Sequence, residues 1–501
     1  MAKDYSEDLM KALLTKLYNT VTGNDGNIKI PRNKYLSWML PGIPFAAEDF
    51  LFCCKGLIGD SAEKTRDLYH QAFVLSKLFD FVPDIDPGQV QFVDTKMQQT
   101  IFTTTQDTIS SVYSDVLKYS RVLNNDISDK EKAKLQKFRD LLSVAKEVVD
   151  IVTDEKKTVT EPGPLTLAYT AKMNDYIDAA DDYMNLVIEA QSAKGSDPEA
   201  VRRVAAFANK SKFLRKKMEA AYMAWVSQGY KNEYETINSY IEQVTQKNLV
   251  LYKQDLMNKY KNALLTSPLE GTAGDFYFTT LLPGNFATSP GWTKFIFYEG
   301  DYETNYSSET TKWGAAGGLC LGFFNIGAKA SGSKTEAHSD QKASNFRAEL
   351  EFTQIPICRP WFDPGFFSMR AWTLDKIWDL NWDKKVSDGA EQTKPVGRLV
   401  AYPTSALFVR NVRFSFGEAD SHSKYVNEQI EAGGTVAYGP FMVGGQYSHG
   451  SVSGSMKGHY GGGSIGIEGI QLIGLINNII PKSPNPNPEI KPEQFVGGDD
   501  K

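Results

Sequence analysis

The sequence predicts an α+β protein. An elongated N-terminal antiparallel helical bundle (residues 1–265) precedes a glycine-rich antiparallel β domain of sandwich-like form (residues 266–480). Three observations carry this. Up to about residue 265, apolar residues recur at helical spacing and glycine is scarce. Beyond it apolar and polar residues alternate, and 14 of the 42 residues from Gly433 to Gly474 are glycine, against 40 in the whole chain of 501. From Pro481 the run Pro-Lys-Ser-Pro-Asn-Pro-Asn-Pro predicts a flexible Pro-rich tail over residues 481–501.

The elements follow in order. A short amphipathic helix is expected from Tyr5 to Tyr18, then turns at Asn24-Asp25-Gly26-Asn27 and Pro41-Gly42-Ile43-Pro44. Ser61 to Phe81 places Leu68, Leu75 and Phe79 near one helical face, and Pro83 ends it. Val90 to Leu123 reads as a second helix, rich in Thr, Ser and Gln. Ser128-Asp129-Lys130-Glu131 is a capping box, in which Ser accepts the N3 amide and Glu reaches back. The stripe from Leu135 to Val152 extends that helix. Further helices are expected over Leu165–Ala193, from a second capping box at Ser196-Asp197-Pro198-Glu199, and from Tyr230 to Leu265 after a break at Gly229. Beyond Pro268, Phe276–Thr280 and Lys294–Tyr298 read as strands, and Glu299–Thr311 as a loop. Ala348/Leu350/Phe352 and Val412/Phe414/Phe416 alternate with polar neighbours, the period of a half-buried strand.

Composition narrows the function classes. The net charge is −6, with no block of Lys/Arg and no basic–aromatic interleaving that stands out, which argues against nucleic acid. The first ten residues carry charge where a secretory signal needs an apolar core, and no run of 18 apolar residues exists. Synthesis in the cytoplasm is the expectation, with release by lysis or non-classical export left open. Cys53, Cys54, Cys320 and Cys358 are expected as reduced thiols, the vicinal pair buried in an apolar stretch. They lack zinc-type spacing, and the five histidines are scattered, so no metal or other cofactor is expected.

Short motifs weigh less than their contexts. Gly462-Gly463-Ser464-Ile465-Gly466 matches a nucleophile elbow, but that turn needs a strand before Ser464 and a helix after it. Gly461, Gly463 and Gly466 match G-x-G-x-x-G without a surrounding βαβ unit. Ser331–Lys334 and Ser421–Lys424 fit S-x-x-K in polar segments read as loops. Asp175, Asp178 and Asp182 share a helical face, expected to be a solvated stripe near lysines of other helices. Trp361, Trp372, Trp378 and Trp382 fit a β-domain core better than a sugar-binding face.

The glycine-rich segment is the candidate functional element. Glycine inside a strand costs about 0.5–1 kcal/mol relative to alanine, so so many need a reason. Close backbone approach, or a need to refold or dock, supplies one. The residues singled out are Gly433, Val443, Gly444, Gly445, Val452, Gly454, Gly461, Gly462, Gly463 and Gly466. Val443 and Val452 would take a disulfide lock, provided the two approach each other. Long helices joined to such a β domain resemble pore-forming toxins at the level of architecture, which implies a non-enzymatic homo-oligomer acting on lipid membranes. A self-assembling structural subunit is the alternative, and a hydrolase with a site assembled from distant residues the second alternative.

Overall fold

The computed structural model describes residues 5–22, 34–85, 91–93, 96–124, 128–149, 156–191, 198–266, 274–305, 321–326, 346–382, 385–389, 395–416, 421–449, 452–456 and 458–497. It is an α+β chain in two compact units, residues 1–122 with 256–501, and residues 123–255. The division does not fall at residue 265, because the first 122 residues join the C-terminal part.

Along the chain, α1 (Tyr5–Thr22) leads to β1 (Lys34–Phe45), then α2 (Ala62–Phe79), whose Ser61 cap accepts from Lys64 N. The expected helix from Val90 is instead extended: Gln91–Val93, β2 (Lys96–Ile101) and Thr103–Thr104 precede α3 (Ile109–Tyr119), whose capping residue is Thr108. The Thr/Gln content of this stretch suits a strand, and Gln99 Oε1 is buried accepting from the Trp38 indole at 2.7 Å. The Ser128 capping box is present and opens α4 (Asp129–Leu142). The helix stops ten residues short of Val152, where β3 (Ser143–Val149) pairs with β4 (Lys156–Pro162). Valine favours the strand there, and its spacing imitates a helical stripe. Next come α5 (Pro164–Gln191), α6 (Pro198–Ser227), α7 (Lys231–Lys247) and α8 (Leu249–Asn262). The Ser196 box lies outside the described residues. Then follow β5 (Thr293–Phe297), β6 (Phe323–Ile326), β7 (Arg347–Cys358), β8 (Ala401–Ser415), α9 (Ser421–Glu431), β9 (Thr435–Tyr438), β10 (Phe441–His449), β11 (Val452–Met456), β12 (Gly458–Gly461), β13 (Ser464–Ile479) and β14 (Phe495–Val496). Glu299–Asn305, expected as loop, is a short helix. Ser421–Lys424 likewise lies on α9, whereas Ser331–Lys334 lies outside the described residues.

In the first unit, β7, β8, β13 and β1 form the centre of a nine-stranded sheet and are antiparallel neighbours in that order. β1 therefore closes against a strand more than 400 residues away in sequence. Both faces of this sheet are buried. On one, Leu36, Trp38, Leu407, Val409, Phe414 and Ile473 pack with α1 and with the small sheet β6-β9-β10-β11. On the other, Met39, Ile43, Phe408, Ile470 and Leu472 pack with α2. The large sheet thus has the small sheet and α1 against one face and helix against the other, which departs from the expected sandwich-like domain. The Pro-rich end is docked as far as residue 497. Ser387 and Ser483 exchange backbone hydrogen bonds, Asn487 N donates to Arg370 O, and the Phe495 carbonyl accepts from the Arg121 guanidinium at 2.7 Å. Phe495 is buried, which anchors a segment whose composition reads as flexible.

Among its described residues the second unit is helical with one antiparallel strand pair, β3–β4. Its buried apolar side chains among the described residues are Leu135, Ala179, Leu186, Val244, Leu249 and Tyr252. Aromatic contacts supplement this small core: Tyr169 stacks on Tyr234 at 3.9 Å, and Tyr176 on Trp225 at 5.7 Å. Asp182 pairs with Lys217 of α6, and Asp175 with Lys172 of its own helix.

Candidate functional site

The glycine-rich segment folds as a run of antiparallel hairpins, β9 through β13, that belong to two sheets. Gly433 ends α9 in the left-handed conformation, and Gly434 N returns to Gln429 O. Val436, Ala437, Tyr438, Phe441, Met442 and Val443 are wholly buried, and Tyr438 stacks on Phe323 at 4.2 Å. The first half of the segment is therefore core.

Three contacts fasten it. The buried Gln471 side chain on β13 acts as a strand in miniature: its Oε1 accepts from Met442 N at 2.8 Å and its Nε2 donates to Met442 O at 2.9 Å. The same Nε2 lies 3.3 Å from the Met456 sulfur. Gly42 N donates to Pro440 O at 2.8 Å, which ties β1 to the β9–β10 turn. Tyr460 donates its hydroxyl hydrogen to Val443 O at 2.8 Å, and burial pushes its pKa up. That ring lies directly over Gly444, where a Cβ would overlap the Tyr460 hydroxyl. A Cβ at Gly445 would come within 2.6 Å of Gly434 O. Close approach thus accounts for this glycine pair.

The turn between β12 and β13 explains the motif matches. Gly461 pairs with Ser464, so Gly462 and Gly463 are a two-residue loop, both with positive φ (59° and 73°). This is the signature of a type I′ hairpin turn. No helix follows Ser464, so it is not a nucleophile elbow, and Gly466 is an ordinary strand position opposite His459. Ser464 Oγ donates to Gly461 O at 3.2 Å. His459 pairs with Glu468 at 2.8 Å on the same hairpin, both side chains largely exposed. Serine, histidine and glutamate share this hairpin in open solvent.

Val443 and Val452 are not brought together. The register places Val452 opposite His449 and Gly454 opposite Tyr447, so Val443 lies six residues along from the partner of Val452. The sequence does not encode this offset in any local signal. Trp361, Trp372 and Trp378 are each 1% exposed, so they are core and present no sugar-binding face. Trp382 is half-buried with the Arg398 guanidinium 4.2 Å from its ring. Cys54 is exposed, contrary to the expected buried pair, because the short helix Leu51–Lys55 turns it outward; Cys53 and Cys358 are half-buried.

Sequence reasoning missed a buried polar cluster in the first unit. Asp80 accepts from Ser110 N and Ser110 Oγ, and burial raises its pKa against those hydrogen bonds and the nearby Arg359. Arg359 donates to Pro403 O at 2.7 Å and Phe79 O at 3.1 Å, and burial pushes its pKa down to about 10. A lone Asp and a lone Arg nearly 280 residues apart leave no local pattern to find. Among the described residues no group of three or more His, Cys, Asp or Glu is placed to hold a metal, and no helix is long and apolar enough to cross a membrane. Comparison with known proteins finds no matching family model, no similar curated protein and no similar solved structure.

Proposed function

We propose that this protein acts on membranes without catalysis, as an oligomer whose hairpin β10–β11 leaves the small sheet to enter lipid. The observation that carries the reading is the register of that hairpin. Gly445, Tyr447, His449, Val452, Gly454 and Met456 fall on one face, and Gln446, Ser448, Ser453 and Ser455 on the other. β10 spans nine residues, within the ~9–11 that a transmembrane β-strand needs, and its alternation runs over the five from Gly445 to His449, after the buried apolar run Phe441-Met442-Val443. Alternation of this kind is what a barrel strand requires, and small residues let it change partners.

A second reading, self-assembly without lipid, draws on β11. It ends the order β6-β9-β10-β11 and so offers a sheet edge to another copy. Dye release from sealed vesicles, with negative-stain microscopy of the same sample, separates the two. Leakage with ring-like particles supports the membrane reading, and ordered particles without leakage support the scaffold. Fluorophosphonate labelling at Ser464 would reopen the hydrolase.

A further inference from the structure

We infer that the outer face of α6 is a docking surface for anionic lipid bilayers; this deepens the membrane reading and rests on it. The whole chain is acidic, yet α6 carries seven Lys/Arg against two Glu. Contrary to the expectation that no basic–aromatic interleaving stands out, the stretch Lys210-Ser211-Lys212-Phe213-Leu214-Arg215-Lys216-Lys217 interleaves cations with apolar residues, a pattern that whole-chain charge conceals. At 100° per residue, Val201, Lys212, Met223, Lys216, Arg202 and Phe213 fall within an arc of about 120°, with one exposed acid, Glu219, at its Val201 edge, so the arc carries three cations against one carboxylate. The structure turns that arc outward: Phe213 is 74% exposed, Met223 62% and Val201 59%. Lys212 and Lys216 are exposed between them. The opposite side of the helix is committed through Trp225, which stacks on Tyr176, and Lys217 at the edge of the arc pairs with Asp182.

Charge and side-chain type select the occupant. From Val201 to Met223 the strip is about 33 Å long at 1.5 Å per residue. Its apolar side chains are single, and long cations separate them. Lysine is depleted in protein–protein interfaces. Lysines around isolated Phe, Met and Val suit the headgroup boundary, where ammonium groups reach phosphates while the apolar side chains enter the acyl region. A neutral surface would gain only from the apolar side chains. Anionic lipid adds roughly one unit of attraction per basic residue, and the acidic remainder of the chain is repelled. The face thereby also sets how the protein approaches the membrane.

The test uses the full chain and sealed phosphatidylcholine vesicles with or without phosphatidylserine, scored by co-sedimentation and by dye release. Wild-type protein is expected to prefer the anionic vesicles. The double variant Lys212→Gln/Lys216→Gln should bind them about 30-fold more weakly, taking ~1 kcal/mol per cation. Phe213→Ser should weaken binding by at least about tenfold. All three positions are exposed, so melting temperatures should match the wild type. Equal binding to both vesicle types, no binding to either, or variants that bind as the wild type overturns the inference. A wild-type dimer that the variants lose, with lipid binding unchanged, would assign the face to a second copy, whose acidic α5 is then the partner. Binding that the variants weaken, without dye release, keeps this surface and removes the pore. Dye release undiminished in the variants does the reverse.

Discussion

Replacing Gln471 by Met should loosen the glycine-rich hairpins more than any other single change of similar volume. Gln471 is 1% exposed and meets both the N–H and the C=O of Met442, itself wholly buried. The substitution deprives both backbone groups of these partners. An orphaned buried polar group costs about 1–3 kcal/mol, so the pair costs about 2–6. The apolar side chain returns about 1–2 of that, because it no longer carries an amide into the core. The net loss is then about 0–5 kcal/mol, centred near 2.5, a large share of the 5–15 typical of a folded domain. Urea unfolding followed by far-UV circular dichroism reads it in the transition that carries the β signal. If β10 must detach from β13 before membrane entry, the variant should also release dye faster than the wild type at equal bound protein. A stability loss below about 0.5 kcal/mol would refute the role assigned to the side chain. A destabilised variant with unchanged release rate would refute detachment as the slow step.

Two further outcomes follow from the same region and its neighbour. Gly444→Ala should cost about 1–3 kcal/mol by displacing the Tyr460 hydroxyl from Val443 O, and Tyr460→Phe should relieve part of that, so the double variant should lose at least about 0.5 kcal/mol less than the sum of the singles; strict additivity would show that the ring does not press on Gly444. Asp80 is an acid whose pKa burial raises in the folded state, so its contribution is fully present below the unfolded value near 3.9 and is lost as pH rises through the folded value. Stability of wild type minus Asp80→Asn should therefore shift in favour of wild type as pH falls from 7 toward 4, with Arg359, Lys77 and Ser110 as the groups facing the carboxyl; a shift the other way in paired denaturation curves would refute the assignment.

Helices announced themselves in the sequence wherever caps and apolar spacing agreed. Ser61, and Ser128 with Glu131, mark starts that the backbone uses, and Gly229 precedes Tyr230 at a positive φ of 52° between α6 and α7. The strands in the first 162 residues were hidden for identifiable reasons. β1 carries Pro41, Gly42 and Pro44, normally turn signals, at the point where its register with β13 shifts between Trp38 and Ile43. Its partner is distant in sequence, and pairing over such a separation leaves no local mark. β3 follows α4 directly, and its valines sit at spacings that both periods accept. In the candidate segment the abundance of glycine was legible, but its cause was not. Tyr460 over Gly444, Gln471 on Met442 and the offset of Val443 from Val452 are all set by register, and register is a property of paired strands.

Pulsed hydrogen exchange during vesicle leakage tests the central claim most directly. In solution β10 is buried from Met442 to Gly444, and Met442 N is held by Gln471, so these amides should exchange slowly. If this hairpin leaves the core to enter lipid, a deuterium pulse applied while dye is escaping should label Val443 to Met456, and a pulse applied after leakage is complete should find those amides protected again. Vesicles that leak while Val443 to Met456 stays protected from first contact onward would contradict the account.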